Sequence, residues 1–534
     1  MTPSIFRESI PDYEHIPLYV YLERAAGQWP DKVAIIDGDK RVTYAELLAQ
    51  AQSFAIGLVG MGVQKGDRVA LFAPNCAEFA SVFFGVLMTG AIITTLNPSY
   101  RELEVAHQLN DSGPSILVTH SALEEVITLA SPLVSGVRET ISIGGVLPGA
   151  KTFEDVIASA SGMLPEVEID PDNDIAALPY SSGTTGLTKG VMLSHFNIGA
   201  NVQQMNNRDE IASFRHEDVG ILFLPMYHIY GMFFLIASIA AGSTTTLMAR
   251  FDMEDFLGII ERDRVTILPM APPVILGLAA YPSLAERDLS SLRWTLVAAA
   301  PSSKELQRRG SEMLGCTVIQ AYGMTELSPV SHYDYAEDDL IEYGSVGTPF
   351  ADTEARVVDI EDGVTELPLG EEGELLVRGP QVMKGYYRNP EATAEAITPD
   401  GWLHTGDIVR MNSDGRIWIT DRKKELIKFK GFQVPPAELE GILLEHPDVA
   451  DACVIGKPDD EAGEVPKAFV VAANDNADAD DIIEFVKGKV ANYKRISEVE
   501  FVDEIPKNPS GKILRRILRD KELANSGSRG AWFS

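Results

Sequence analysis

Cysteine is scarce in this 534-residue chain: Cys76, Cys316 and Cys453 are scattered and odd in number. That excludes a disulfide framework and a thiolate metal cluster, and it predicts a reducing compartment, the cytoplasm. Positive charge is also short. With 45 Lys and Arg against 78 Asp and Glu, the formal net charge is −33, a general field that opposes binding to nucleic acid or to anionic lipid. The deficit is uneven, because residues 421–534 hold 18 basic and 22 acidic side chains. Unpunctuated apolar runs are missing as well. Val219 to Ala249 contains no Asp, Glu, Lys or Arg, a length that on its own suggests a membrane span, but Pro225, His228, Gly231 and Gly242 interrupt it. A strand, a loop, a buried helix and a second strand inside a large core account for it better, so no transmembrane segment is expected. The start, with Arg7 and Glu8 and no apolar core behind them, lacks the form of a signal peptide. The end, Ala531-Trp532-Phe533-Ser534, lacks that of a peroxisomal address.

What is present is the composition of a soluble globular protein, 45% apolar and 23% charged, in a chain too long for one ordinary domain. Val33 to Ile36 reads as a strand, Asp37-Gly38-Asp39 as a turn, and Thr43 as the start of a helix, with Glu46 placed for a capping box. Val69 to Ala73, Ile92 to Thr95 and Ile116 to Val118 repeat the apolar strand, separated by helical stretches such as Glu78 to Met88. This alternation predicts an α/β fold of parallel sheets covered by helices on both faces. Asn197 to Asn207 reads as a helix. Asp421-Arg422-Lys423-Lys424-Glu425 is a charged connector between the apolar strands Ile417 to Thr420 and Leu426-Ile427, suited to a hinge or simply to a solvated turn.

One stretch concentrates hydroxyls, glycines and a lysine: Ser181, Ser182, Gly183, Thr184, Thr185, Gly186, and then Lys189. Glycines let successive amide N–H groups converge on an anion, the hydroxyls add donors, and the lysine adds a mobile charge. Only two residues separate Gly183 from Gly186, so this is not a Walker loop. A flexible surface turn would use the same residue types. Gln320-Ala321-Tyr322-Gly323-Met324-Thr325-Glu326 follows at a distance. It offers a ring on which adenine can stack, a hydroxyl near a phosphate and a carboxylate for a divalent cation. Asp407, expected at a strand end, can accept both hydroxyls of a ribose.

In this order these motifs resemble those of the AMP-forming adenylate enzymes, the superfamily of acyl-CoA synthetases, nonribosomal adenylation domains and beetle luciferase, with 4-coumarate:CoA ligases and their bacterial relatives the nearest in pattern. The resemblance spans almost the whole chain. It implies a large N-terminal AMP-binding domain with a small β-rich subdomain (1–420), a hinge (421–424, pivot Lys424) and a small mobile α+β domain (425–534). It implies that the chain is a ligase using ATP, Mg²⁺ and CoA with a small-molecule carboxylic acid, as a monomer or a homodimer. By the same resemblance Lys512 is the catalytic lysine and Lys428 acts in thioester formation. His228 sits between the carboxylate site and the CoA tunnel, though singly it reads as a satisfied core histidine. Glu326 and Thr185 serve the metal; Gln320, Ala299, Asp407 and Arg422 join the phosphate loop around the nucleotide. Tyr230, Leu296, Ala298, Ala299, Ala321, Pro329 and Val330 line the acid pocket, and Lys430, Gly431 and Phe432 meet CoA. The plant enzymes carry Lys-Ser-Gly-Gly-Ala-Pro where this chain has Leu296-Val297-Ala298-Ala299-Ala300-Pro301. That exchange removes a polar partner for a ring hydroxyl. It leaves two substrate classes open, an aryl-propenoic acid or a medium to long fatty acid. An acceptor other than CoA (an amine, a carrier protein or oxygen) and a non-catalytic nucleotide-binding protein are the other readings.

Overall fold

In the computed structural model, residues 9–181, 188–207, 212–298, 302–334, 336, 341–423, 425–430, 432–459, 462–474, 476–490, 492–507 and 511–525 are described. The expected strands and helices form close to where the sequence places them. Thr43 and Glu46 make the reciprocal capping box that opens the helix Tyr44–Gly60. The uncharged stretch resolves into the strand Val219–Leu222, the helix Ile229–Ala241 and the strand Thr244–Leu247. None of the described helices is long and apolar enough to cross a membrane.

Two large sheets build the N-terminal part. The first runs Thr348–Pro349, Val330–Tyr333, Thr317–Gly323, Trp294–Val297, Ile267–Met270, Val219–Leu222, Thr244–Leu247, Val33–Asp37 and Lys40–Thr43. The second is centred on Ile92–Leu96, Arg68–Phe72 and Ile116–His120 and ends at Lys189–Ser194 and Gly385–Tyr386. The expectation of parallel sheets holds only for their middles. Lys40–Thr43, Val330–Tyr333 and Lys189–Ser194 pair antiparallel with their neighbours, the first because it returns from the two-residue turn after Val33–Asp37, which a parallel crossover cannot do. The helix Ala77–Met88, almost wholly buried, touches strands of both sheets and fills the space between them. Its uniform apolarity, without a polar face, is what a helix enclosed between two sheets requires. Asn75, just before it, is buried and donates to the carbonyls of Leu222 and Leu224 while accepting from Met226 N–H. It thereby satisfies the backbone of a strand end that leaves the first sheet.

A four-stranded antiparallel sheet follows: Glu354–Val358, Glu372–Arg378, Leu403–Met411 and Ile417–Arg422. It is the β-rich subdomain the resemblance implies. Two details differ from expectation. Asp407 lies within a nine-residue strand instead of at its end, because Leu403–Met411 pairs with Glu372–Arg378 on both sides of it and with Ile417–Arg422 from Asp407 onward. The strand expected over Ile417 to Thr420 extends through Asp421 and Arg422, since Arg422 pairs with Asp407 across the sheet. The last sheet contains Phe432–Val434, Ile427–Phe429, Gly463–Ala472, Val449–Asp459 and Glu498–Phe501. Alternation along it sends Ala452, Val454, Ala468 and Val470 to one apolar core and Cys453, Ile455 and Phe469 to another. The helices Pro436–Leu443 and Ala479–Lys487 cover the first face, and Arg515–Asn525 covers the second. The fold is thus a large α/β part with a β-rich subdomain and a small α+β part.

Candidate active site

Ligands of open α/β sheets bind beyond the carboxyl ends of the parallel strands, and that edge is where the motif residues gather. The strand Thr317–Gly323 ends in a short 3₁₀ turn, Thr325–Leu327, that carries Glu326. Glu326 is buried, and its Oε1 accepts hydroxyl bonds from Ser181 (2.9 Å) and Tyr386 (3.0 Å). Its backbone is fixed as well, because Met383 N–H donates to the Glu326 carbonyl. The ammonium of Lys189 stands over the Tyr386 ring, 5.0 Å from its centre. Burial, then the charge of Glu326, pushes the Tyr386 hydroxyl well above its ordinary range, so it stays a donor. The link of Tyr386 to Glu326 depends on the pairing of Gly385–Tyr386 with Lys189–Ser194, which no local pattern announces. Ser182 to Gly186, with Thr185, lie outside the described residues.

A second cluster surrounds Asp407. Tyr322 Oη donates to its Oδ2 at 2.6 Å, and Arg422 Nε pairs with its Oδ1 at 3.1 Å. Each carboxylate oxygen keeps a further lone pair for a ligand hydroxyl. Burial and the facing carboxylate drive the Tyr322 hydroxyl far above its usual range, and Asp407 raises the Arg422 guanidinium further. Glu374, unassigned by sequence, supports this cluster from beneath. Its Oε1 accepts from Gly406 N–H (3.2 Å) and its Oε2 pairs with Lys423 Nζ at 2.9 Å, so the turn before Asp407 is tied to the connector. The Gln320 amide donates to Ser302 O and Gln307 Oε1 and so braces the helix Lys304–Leu314. Ala299 lies outside the described residues.

His228 caps the helix Ile229–Ala241, its Nδ1 accepting from Tyr230 N–H. That bond leaves the ring hydrogen on Nε2 in the neutral form. Burial first, and the charge of Lys512 second, pull its pKa down to about 4, so it is neutral at physiological pH. Tyr230 is buried, and its hydroxyl donates to Leu296 O at 3.3 Å. Ala321 and Val330 are buried and Ala298 is half-buried, which gives the acid-pocket candidates an apolar character. Ser328 and Pro329 are joined by a cis peptide bond.

Lys512, more than 80 residues beyond the connector, is half-buried and within electrostatic reach of Arg422, Asp407, Glu326 and His228. Burial and Arg422 draw its pKa down to about 8 against the pull of the acids. Gly511, at φ +82°, presents it: a Cβ there would approach Pro273 Cγ to 3.0 Å, so the turn rests directly on the start of the helix Pro272–Ala280. Lys428 and Lys430 are exposed. Lys424 and Gly431 lie outside the described residues, as does the side chain of Phe432. Among the described residues the arrangement therefore gathers a buried carboxylate with hydroxyl partners, a ribose-sized acceptor and a lysine from the small domain.

Comparison with known proteins gives the family. The model of the AMP-binding enzyme family matches residues 22–387, and that of the AMP-binding enzyme C-terminal domain matches residues 438–512. The 4-coumarate–CoA ligase 5 of Oryza sativa subsp. japonica is 42% identical over 97% of this chain and 98% of its own length. The 4-coumarate–CoA ligase of Pinus taeda is 40% identical over 97% and 98%. Among solved structures, the anthranilate CoA ligase AuaEII in complex with anthranoyl-AMP aligns with TM-score 0.89 at 28% identity, covering 97% of this chain and 99% of that one. The amide bond synthetase McbA of Marinactinospora thermotolerans aligns at 0.83 and 29%, covering 95% and 100%. The chain belongs to the AMP-binding enzyme family, the AMP-forming adenylate enzymes, and carries both of the family's domains in order.

Proposed function

We propose that this AMP-forming acid–thiol ligase activates an aryl-propenoic acid with ATP and passes the acyl group to CoA. The single observation that carries the reading is the placement of Lys512, from the small domain, within electrostatic reach of Glu326, Asp407 and Arg422 of the large one. A carboxylate resists attack by a thiol because its charge repels nucleophiles and its oxygen leaves poorly. Transfer to AMP removes both obstacles. Bringing the carboxylate to the α-phosphorus joins two anions, so fixed positive charge must be in place beforehand, and Lys512 is aimed to supply it. The loop from Ser181 to Lys189 would hold the departing pyrophosphate. Asp407 and Arg422 would hold the ribose, with the Tyr322 hydroxyl fixing the carboxylate, and neutral His228 would donate Nε2–H to an oxygen of the acid.

The donor set suits Mg²⁺. Glu326 is a hard oxygen ligand whose Oε1 takes both hydroxyl bonds, which leaves Oε2 for a cation; Thr185 would be the second protein ligand. When bound, the ion would neutralise phosphate charge. Domain limits of 1–420, 421–424 and 425–534 accompany this reading. After adenylation the small domain turns about Lys424, Lys512 withdraws, and Lys428, Lys430, Gly431 and Phe432 come to the site for CoA. The exposed position of Lys428 in the present arrangement fits that division of labour.

The names of the 4-coumarate–CoA ligases at about two-fifths identity favour the aryl-propenoic class. One observation favours a fatty acid instead: where the plant enzymes carry a lysine, Leu296 is buried. One assay separates them. The purified protein is given Mg-ATP, CoA and an equal mixture of 4-coumarate, ferulate, benzoate, octanoate and palmitate, and the products are read by mass spectrometry. Aryl-propenoyl-CoA is expected. Octanoyl- or palmitoyl-CoA as the main product would overturn the substrate class, and acyl-AMP accumulating without thioester would overturn CoA as acceptor.

A further inference from the structure

The two domains meet through an interaction that the reaction scheme above does not use. Asp421 is the penultimate residue of Ile417–Arg422, the last strand before the connector, and it is buried. Its Oδ1 accepts from Arg422 N–H and its Oδ2 accepts from Ala437 N–H at 3.3 Å. Ala437 lies in the first turn of Pro436–Leu443, the first helix of the small domain. That helix has no cap of its own, since its N-cap residue is Pro435 and makes no side-chain cap bond. An orphan first-turn N–H and the positive end of the helix dipole are thus satisfied by a carboxylate from the other side of the hinge.

The same carboxylate faces a buried ion cluster. Arg515, three residues beyond Lys512, pairs with Glu425 and with Glu440, and Glu440 accepts in turn from Val454 N–H. The charged groups acting on Asp421 are Arg515 from the C-terminal helix and Glu425 from the connector, and burial outweighs the rest, pushing its carboxyl up to about 7. Glu425, Glu440, Arg515 and Ala437 all follow the pivot Lys424 in the chain, and Asp421 precedes it. A turn about Lys424 carries them away together and leaves Asp421 behind.

We infer that Asp421 is a positioning residue that latches the small domain in the adenylating arrangement, capping Pro436–Leu443 from the large domain and so holding Lys512 at the phosphate site. The inference rests on the two-arrangement reading above. Asp421 acts through the domain and touches no reacting atom. Losing the cap weakens only the arrangement in which it exists, so adenylation and thioester formation respond differently.

The test uses the full-length chain with 4-coumarate for ATP–pyrophosphate exchange, and the adenylate of 4-coumarate with CoA for the thioester step. Asp421→Ala is expected to lower exchange kcat by about 2- to 30-fold, the range for a lost N-cap. KM for ATP stays within about 2-fold, and the thioester step is undiminished. Asp421→Asn, which keeps an acceptor oxygen, is expected to recover part of the loss. Ala437→Pro removes the donor from the other partner while proline remains acceptable in a first helical turn; it reproduces the selective loss and serves if Asp421→Ala does not fold. Equal losses in both half-reactions, unchanged exchange in Asp421→Ala, or a rise in KM for ATP alone would each overturn the latch, the last assigning Asp421 to Arg422 and the ribose. Lys512→Ala is run in parallel. If it separates the half-reactions and the Asp421 and Ala437 variants do not, only the latch falls. If it fails to separate them, the two-arrangement reading falls and the latch with it.

Discussion

At the scale of single residues, the charge of Lys512 is the quantity most open to measurement. A lysine ordinarily titrates near about 10.4; here burial and Arg422 bring it to about 8. The cation is therefore fully present below about pH 7 and is lost as pH rises through about 8. Because kcat/KM reports the free enzyme, kcat/KM for ATP in pyrophosphate exchange is expected to fall on an alkaline limb with a midpoint near 8. Lys512→Arg, whose guanidinium stays charged, is expected to be slower yet to lack that limb. A limb at the same pH in both proteins would assign it to another group. His228, held near 4, is expected to contribute no limb between pH 5 and 8, so His228→Gln should change the height of the profile and not its shape. Glu326 and Asp407 were legible because the chemistry of their motifs names them, and Lys512 and Arg422 because the family resemblance does. Tyr386, Glu374 and Asp421 were not, since each acts through a partner 60, 32 or 16 residues away, and only the fold determines such pairs.

At the scale of elements, the sequence reads well wherever a signal is local. The Thr43–Glu46 box and the strand, helix and strand of the uncharged stretch depend on residues a few positions apart, and they formed where expected. Antiparallel edges and the extension of the last subdomain strand to Arg422 depend on which strand lies alongside, and a run of charges cannot show that. The turn at Gly323 is a close approach of this non-local kind. The strands Thr317–Gly323 and Val330–Tyr333 slip register there, and a Cβ on Gly323 would stand 1.9 Å from Pro329 O and 2.8 Å from its carbonyl carbon. Backbone cannot swing aside as a side chain can, so Gly323→Ala must part the two strands beside Glu326. The expected cost is about 1–3 kcal/mol in urea unfolding, with loss of adenylate formation. Gly406 is the contrasting position. It sits at φ +71° with no atom within 4 Å of its would-be Cβ, so Gly406→Ala meets only backbone strain, about 1 kcal/mol. If the two substitutions cost the same, the close approach at Gly323 is not what the turn requires.

At the scale of the whole molecule, the net charge of −33 is the dominant fact, and it is not shared evenly. Residues 421–534 are nearly balanced, so almost all the excess negative charge belongs to the large domain. Like charges spread over one compact body repel, and unfolding relieves that repulsion by separating them. The Debye length is about 30 Å at ~0.01 M salt and about 8 Å at ~0.15 M. Over that interval the repulsion passes from acting across much of the domain to acting between near neighbours only. The surface ion pairs move in the opposite direction, because screening weakens them; exposed pairs contribute only about 0–1 kcal/mol each, and many of those here, such as Arg24–Glu14 and Arg264–Asp288, are exposed on both sides. The buried groups, Arg416–Asp334 and Lys467 with Glu522, are shielded from added salt. Repulsion should therefore win. The thermal midpoint of the large domain is expected to rise between ~0.01 and ~0.15 M sodium chloride and then to flatten, and the near-neutral small domain, where its transition is resolved, should shift less. Sodium chloride is the right probe, since sulfate would also strengthen apolar burial through surface exclusion. A midpoint that falls with salt would mean that attraction among surface pairs outweighs the net charge, and the acidity of the chain would then have to be explained by something other than a cost the fold withstands.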